Sequence, residues 1–281
     1  MNIADKVIVV TGGAQGAGEA LCRRFAADGA RRVVIADVAD AAALADEIGA
    51  TAVHHDVAVE QDSIELVALV EREFGPIDLF CANAGVFVPG GVEVPDSEWH
   101  RAFQINFMAH VYAARALLPG WLRRGSGYFL QTASAAALLT PFGALPYAAT
   151  KHADLALAES LALEYGHLGI RVSCLCPQSI KTPMHIESTV GAGGLPSLTH
   201  AGRVYASAPD DDGWGLGESG LIELTPELFA QRVVEGIERE DFMILPHPDT
   251  ERFFQAKADD YSRWIRRASE FRNLASESGG R

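Results

Sequence analysis

The sequence is short of positive charge. Lysine and arginine number 23 against 37 aspartate and glutamate, a formal net charge of −14. That balance repels polyanions, so neither nucleic acid nor an anionic membrane surface is an expected partner. It also weighs against a substrate carried on an acidic protein, although Arg115, Arg123 and Arg124 form a local basic patch that runs against the net value. Cysteine is scarce. Cys22, Cys81, Cys174 and Cys176 sit in apolar or helical patterns without metal-ligand spacing, which implies a reduced, cytosolic protein. Cys174 and Cys176 alternate along a strand pattern, so they share a face and are expected to be buried. No apolar run is long enough to span a bilayer, and no repeat or low-complexity tract is present. The opening residues, MNIADKVIVVTGG, enter a strand pattern with no basic leader, so no secretory signal is expected.

What is present is an ordinary globular composition, 48% hydrophobic and 21% charged over 281 residues. One domain with a large core is expected across 1–281. Short β-branched runs at 7–11, 32–36, 51–55, 77–82, 128–133, 171–176 and 242–245 alternate with helical patterns near 16–29, 60–74, 97–122, 146–167 and 226–239. The alternation predicts an α/β fold: a doubly wound, Rossmann-type parallel sheet of seven strands with helices on both faces. Ligands of such sheets bind beyond the carboxyl ends of the strands. The stretch 183–225 breaks the alternation and reads as a substrate loop, with GAGG at 191–194 as hinge and Asp210, Asp211 and Asp212 as a solvated turn. From about 246 a C-terminal extension carries Phe253, Phe254, Tyr261 and Trp264, whose spacing suits a helix docked on the body or on another subunit.

The first strand runs straight into T-G-G-A-Q-G-A-G and a helix. Gly12, Gly16 and Gly18 are not spaced as G-x-G-x-x-G, but the physics is shared. Glycines allow a tight turn and close approach of backbone N–H groups to a pyrophosphate, and the helix N-terminus faces the phosphate charge. Asp37 closes the second strand nineteen residues after Gly18, where a carboxylate can accept bonds from an adenosine ribose and would repel a 2′-phosphate. Its alternative role is a helix N-cap. Gln15 and Val38 are neutral, and Arg31 and Arg32 lie at the strand's other end, so NAD is preferred over NADP.

Taken singly, other polar residues have bland readings. Tyr147 and Lys151 in LPYAATKHA could be an aromatic resting on a lysine stem. Asn106 could be a satisfied helix amide and Ser134 a strand-end cap. Ser134 is not in a G-x-S-x-G elbow, which removes a hydrolase. His54 and His55 next to Asp56 point to opposite faces of a strand, so no metal is expected.

In order along the chain, these residues resemble the short-chain dehydrogenase/reductase family over roughly residues 4–245. T-G-G-A-Q-G-A-G, with Gln15, Gly16 and Ala17 at its centre, is similar to the family's cofactor loop. Asp56, with Val57 beside it, matches the acid that contacts the adenine. Asn83, Ala84 and Gly85 match the family's N-A-G, which supports the sheet centre and the cofactor. Asn106, Ser134, Tyr147 and Lys151 match the catalytic asparagine, serine and Y-x-x-x-K. Cys176 to Thr182 resembles P-G-x-x-x-T beside the nicotinamide, which brings Pro177, Ile180 and Thr182 to the cofactor. Gln178 departs from the family glycine. It either bonds backbone locally or projects a polar group towards the substrate.

The resemblance implies a hydride transfer between NAD(H) and a secondary alcohol or ketone. Tyrosine's ordinary pKa is about 10, too high for a base near neutrality, and an ammonium one turn away favours the phenolate. Tyr147 is thus the implied acid/base and Lys151 its charge partner and ribose ligand. Ser134 would hold the substrate oxygen, and Asn106 a water continuing the proton path. Implied pocket positions are Val86, Phe87, Val88, Ala136, Leu145, Gln178 and Met184; they are mostly apolar, which favours a hydrophobic alcohol. Family members assemble as dimers or tetramers. The rival readings are an NADP-dependent ketoreductase, including one for 3-oxoacyl groups, and a non-catalytic nucleotide-binding sensor.

Overall fold

A computed structural model describes residues 1–182 and 223–278. The stretch 183–222, with Met184, GAGG and Asp210 to Asp212, lies outside the described residues. Seven parallel strands form one sheet in the order β3-β2-β1-β4-β5-β6-β7. They are β1 (Val7–Thr11), β2 (Arg32–Asp37), β3 (Thr51–His54), β4 (Leu79–Ala82), β5 (Gly127–Thr132), β6 (Ile170–Leu175) and β7 (Met243–Ile244). The order reverses between β1 and β4, which opens a crevice at their carboxyl ends. This is the doubly wound fold that the alternation predicts.

The central strands β1 and β4 are buried throughout because both faces are covered, whereas the edge strand β3 alternates half-buried and exposed residues. In β1, Ile8 and Val10 join one core cluster while Val7 and Val9 join the other. The first face carries α1 (Gly16–Ala27), α2 (Ala42–Ile48) and α8 (Pro226–Arg239). The second carries α3 (Glu60–Phe74), α5 (Ala109–Arg124) and α7 (Leu145–Tyr165). Phe129 at its centre stacks on Phe80 at 6.0 Å and meets the edge of Trp121 at 6.4 Å. Trp121 donates its indole N–H to Ile77 O at 2.9 Å, so even the largest buried side chain has its polar atom satisfied.

The expected helix near 97–122 is not one continuous α-helix. It is α4 (Asp96–Phe103), a π-helical turn over Gln104–Met108, and α5. A π-turn adds one residue within a helix without ending it, so no cap or helix breaker marks the place in sequence. Two short helices carry no clear pattern and were not expected, α2 and α6 (Ala136–Leu139). The tail forms α9 (Asp249–Asp259) and α10 (Tyr261–Ser278), with Phe253 and Trp264 buried against the body and Tyr261 exposed. A parallel bridge pairs Ile180 with Leu224, so the chain leaves and re-enters the described body at one place.

Phe129 lies between two aromatic neighbours with no solvent path. Phe129→Ala is expected to cost about 3–5 kcal/mol, seen as a lowered thermal midpoint by circular dichroism.

Candidate active site

The crevice is built by side chains that tie strand ends together. Thr11 Oγ1, at the end of β1, accepts from Asn83 N at 3.0 Å and Ala84 N at 3.2 Å. The Asn83 amide returns bonds to Thr11 O and Gly12 O. Thr132, at the end of β5, donates its hydroxyl to Asn83 Oδ1 at 3.3 Å. Thr11 and Thr132 were not singled out from sequence, since threonine at a strand end is ordinary. Only pairing of β1, β4 and β5 shows what they join.

The glycine turn is as tight as its composition suggests. A Cβ on Gly18 would lie 2.0 Å from Gly12 O and 2.7 Å from Asn83 Nδ2, so α1 can start here only without a side chain. Gly12 and Gly16 have φ of 63° and 61°, in the left-handed region. Gln15 is the exposed N-cap of α1 and makes no side-chain cap bond, and Ala17 is half-buried in its first turn. Asp37 accepts from Ala14 N at 3.0 Å and Ala39 N at 2.9 Å, which fixes its carboxylate between the glycine turn and the end of β2. It does not cap α2, whose N-cap is Ala41. Val38 beside it is exposed. Asp56 and Val57 are half-buried after β3, where Asp56 accepts from Ala58 N.

The next group lies across β4, the π-turn and α7. Gly85 faces Asn106 and Lys151: a Cβ there would meet Asn106 Oδ1 at 3.3 Å and Lys151 Nζ at 3.8 Å. Asn106 is fully buried, and its side chain is committed. It accepts from Val86 N at 2.7 Å and donates to Val86 O and Thr150 Oγ1, both at 3.0 Å. Both amide protons are thus used, one on the chain after β4 and one on α7, so the side chain has no donor left for a water. Ser134 Oγ accepts from Ala136 N at 3.1 Å, which orients the oxygen and leaves its own proton to donate. Tyr147 packs edge-on against Phe87 at 5.2 Å, in a cluster with Ala136 and Ala144. Leu145 lies outside that cluster at the exposed start of α7, and Val88 is buried.

Lys151 Nζ lies 6.0 Å from the Tyr147 ring centre and donates to Thr132 O and to Asp154 Oδ2. Burial opposes its ammonium, but the Asp154 carboxylate and the Tyr147 hydroxyl outweigh that and hold the lysine above its ordinary value. For Asp154 burial would push the carboxyl up, and His110 and Lys151 together bring it down.

The stretch after β6 is held from outside. Pro177 O accepts from Ala135 N at 2.8 Å, joining it to the serine turn. Ile180 buries its side chain in the core beside Leu224, and Thr182 is half-buried. Gln178 follows neither expected course. Its amide donates to Thr250 Oγ1 at 2.8 Å, and its backbone N–H donates to His247 Nδ1 at 3.1 Å. His247 also bonds Ser179 O, which makes it the Nε2–H tautomer. The C-terminal extension thus staples this stretch, and Lys257 from α9 donates to Leu138 O at the end of α6.

The residues match the model of one family, described as short chain dehydrogenase, over 6–191. The chain belongs to that family. It is 40% identical over 228 residues to a 1-deoxy-11-beta-hydroxypentalenate dehydrogenase of Streptomyces exfoliatus, covering 75% of this chain and 82% of the relative. It is 35% identical over 192 residues to a mitochondrial borneol dehydrogenase of Lavandula x intermedia, covering 65% and 72%. A short-chain dehydrogenase/reductase structure from Burkholderia phymatum in complex with NAD superposes with a TM-score of 0.76 at 26% identity, over 93% of this chain and 95% of that one. Within this short-chain dehydrogenase the family motifs converge on the β1–β4 crevice, while the staple from His247 and Thr250 lies beyond the matched region.

The clearance at Gly18 is smaller than any side chain tolerates. Gly18→Ala is expected to weaken NADH and NADPH binding by at least about tenfold, read by nucleotide fluorescence, with the far-ultraviolet spectrum unchanged.

Proposed function

We propose that this chain is an NAD-dependent dehydrogenase of hydrophobic secondary alcohols, working reversibly on the matching ketones. Membership of the family and the dehydrogenase relatives support oxidoreduction at a CH–OH group. The observation that carries the finer reading is one constellation: Tyr147 lined by Phe87 and Ala136, with the buried Lys151 ammonium beneath its ring.

A nicotinamide nucleotide fits the residues present. The glycine cradle before α1 has no room for a Cβ, Asp37 stands at the end of β2, and Gly85 leaves Lys151 accessible from the crevice. Gly12, Gln15, Gly16, Ala17, Gly18, Asp37, Val38, Asp56, Val57, Asn83, Ala84, Gly85, Pro177, Ile180 and Thr182 are the proposed contacts, with the Ile180 contribution coming from its backbone. Asp37 supports NAD: its fixed carboxylate disfavours a 2′-phosphate. Arg32 at the far end of that strand is spent on Gly49 O and the Phe74 ring, and Arg23 on Glu19 and Glu47. When bound, the nicotinamide supplies or accepts the hydride.

The chain supplies the rest. Ser134 donates its hydroxyl to the substrate oxygen and holds it beside Tyr147. Tyr147 takes the proton from the alcohol, or returns it to the ketone. Negative charge developing on the phenol oxygen meets the fixed Lys151 cation one helical turn away. Asn106 shapes the site through Val86 and the π-turn, and a proton path past it would run over backbone rather than its amide. Phe87, Ala136 and Leu145 offer apolar walls; Met184, expected beside them from sequence, lies outside the described residues.

The unit is read as a single domain over 1–281, since α9 and α10 pack on the same body. Exposed Leu163 on α7 and Phe103 on α4 suit a homodimer or homotetramer. Four free, buried cysteines suit the cytoplasm.

The test is a spectrophotometric screen of cyclic, aryl and aliphatic secondary alcohols with NAD and with NADP. NADH should appear fastest with apolar ring alcohols. Tyr147→Phe should remove turnover by at least about a hundredfold while NADH still binds; near-normal turnover would refute the assignment. Asp37→Ala should raise the KM for NAD and narrow the preference over NADP.

A further inference from the structure

The lysine of the site leans on a second carboxylate that the reaction itself does not call for. Asp154, on α7 three residues past Lys151, is 0% exposed, and Lys151 is 3% exposed. Nζ donates to Asp154 Oδ2 at 3.0 Å and to Thr132 O at 2.8 Å. An ammonium has three protons, so two are fixed and one remains. The atoms left around it are on the side of Gly85 and the Tyr147 ring.

Asp154 is itself braced from two further elements. Gln131 on β5 donates to Asp154 Oδ1 at 3.1 Å and to its backbone oxygen at 2.8 Å. His110 on α5 places Nδ1 2.9 Å from the same Oδ1. The two atoms are close but not aligned as a hydrogen bond, so His110 braces the carboxylate by contact. Gln131 and His110 are as buried as the pair they brace. The titratable groups facing Nζ are Asp154 and Tyr147 from α7 and Cys174 from β6, while His110 faces the far oxygen of the carboxylate. Cys174 is neutral: its bond with Cys176 and its burial push the thiol far up.

A buried ion pair gives up the hydration of both partners and is a poor stabiliser of a fold. What it supplies is a fixed position and a fixed charge. We propose that Asp154, braced by Gln131 and His110, is a positioning residue for the reaction: it pins Lys151 Nζ, keeps it cationic across the working pH range and leaves one N–H for the crevice. The proposal rests on the reading of Tyr147 and Lys151 as the acid/base pair. Without the carboxylate, Nζ loses one of its two anchoring bonds, and burial acts on the ammonium with less to oppose it.

Asp154→Asn tests this, because it keeps the shape and removes the charge. For the parent, kcat/KM for alcohol oxidation should rise with pH and stay level to about pH 10. For the variant, a falling alkaline limb should appear at least about one pH unit lower, with NADH binding retained at neutral pH. Superimposable profiles overturn the proposal, whatever the absolute rates. A second measurement needs neither turnover nor a folded Asp154→Asn. Lys151→Met strands a buried carboxylate, so Lys151→Met/Asp154→Val should have the higher thermal midpoint of the two. A double variant no more stable than Lys151→Met also overturns the proposal. Tyr147→Phe separately tests the acid/base reading, so failure of that reading and failure of this one are told apart.

Discussion

Parallel strands end with their last carbonyls and amides unpaired, and in this protein side chains close the gap. Thr11, Asn83 and Thr132 join the ends of β1, β4 and β5, and Thr132 O carries the bond on to Lys151. The glycine turn hangs from one end of this chain of bonds and the tyrosine–lysine helix from the other. Because each link is a short polar bond within a closely packed sheet end, the relative position of the glycine turn and the tyrosine–lysine pair is fixed. Asn106 performs the same task one layer outwards, gripping Val86 with one donor and one acceptor and Thr150 on α7 with its other donor.

The second constraint is electrostatic. A lysine this buried would shed its proton if left alone, since desolvation costs several kcal/mol (order of magnitude) per ion. The carboxylate at 3.0 Å reverses that tendency, but it also fixes where Nζ can point. Position and charge state are therefore set by one contact. The opposite sign appears at Lys257, where burial without a carboxylate lowers the amine while it bonds Leu138 O.

The sheet and the major helices were legible in sequence because their periods differ, and α3 and α8 keep the expected limits. The π-turn is not legible: Gln104–Met108 keeps helical composition, with no side-chain cap or breaker to mark it. Asp154 is hidden for a related reason. On a helix containing Glu159 and Glu164 an aspartate reads as solvent-facing, and only Gln131 and His110, distant in sequence, show that it is enclosed. Gln178 drew notice as a departure from a family glycine, yet its partners come from the tail, where no motif announces them. Local chemistry could be read from local residues; long-range partners could not.

The bridge between Ile180 and Leu224 fixes two points of the chain side by side on the rim of the crevice. Whatever length of polypeptide runs between such points, its closure adds only a slowly growing entropic term, and the two anchors bear no register for it. The length of chain between them can therefore change while the tyrosine–lysine helix stays where it is.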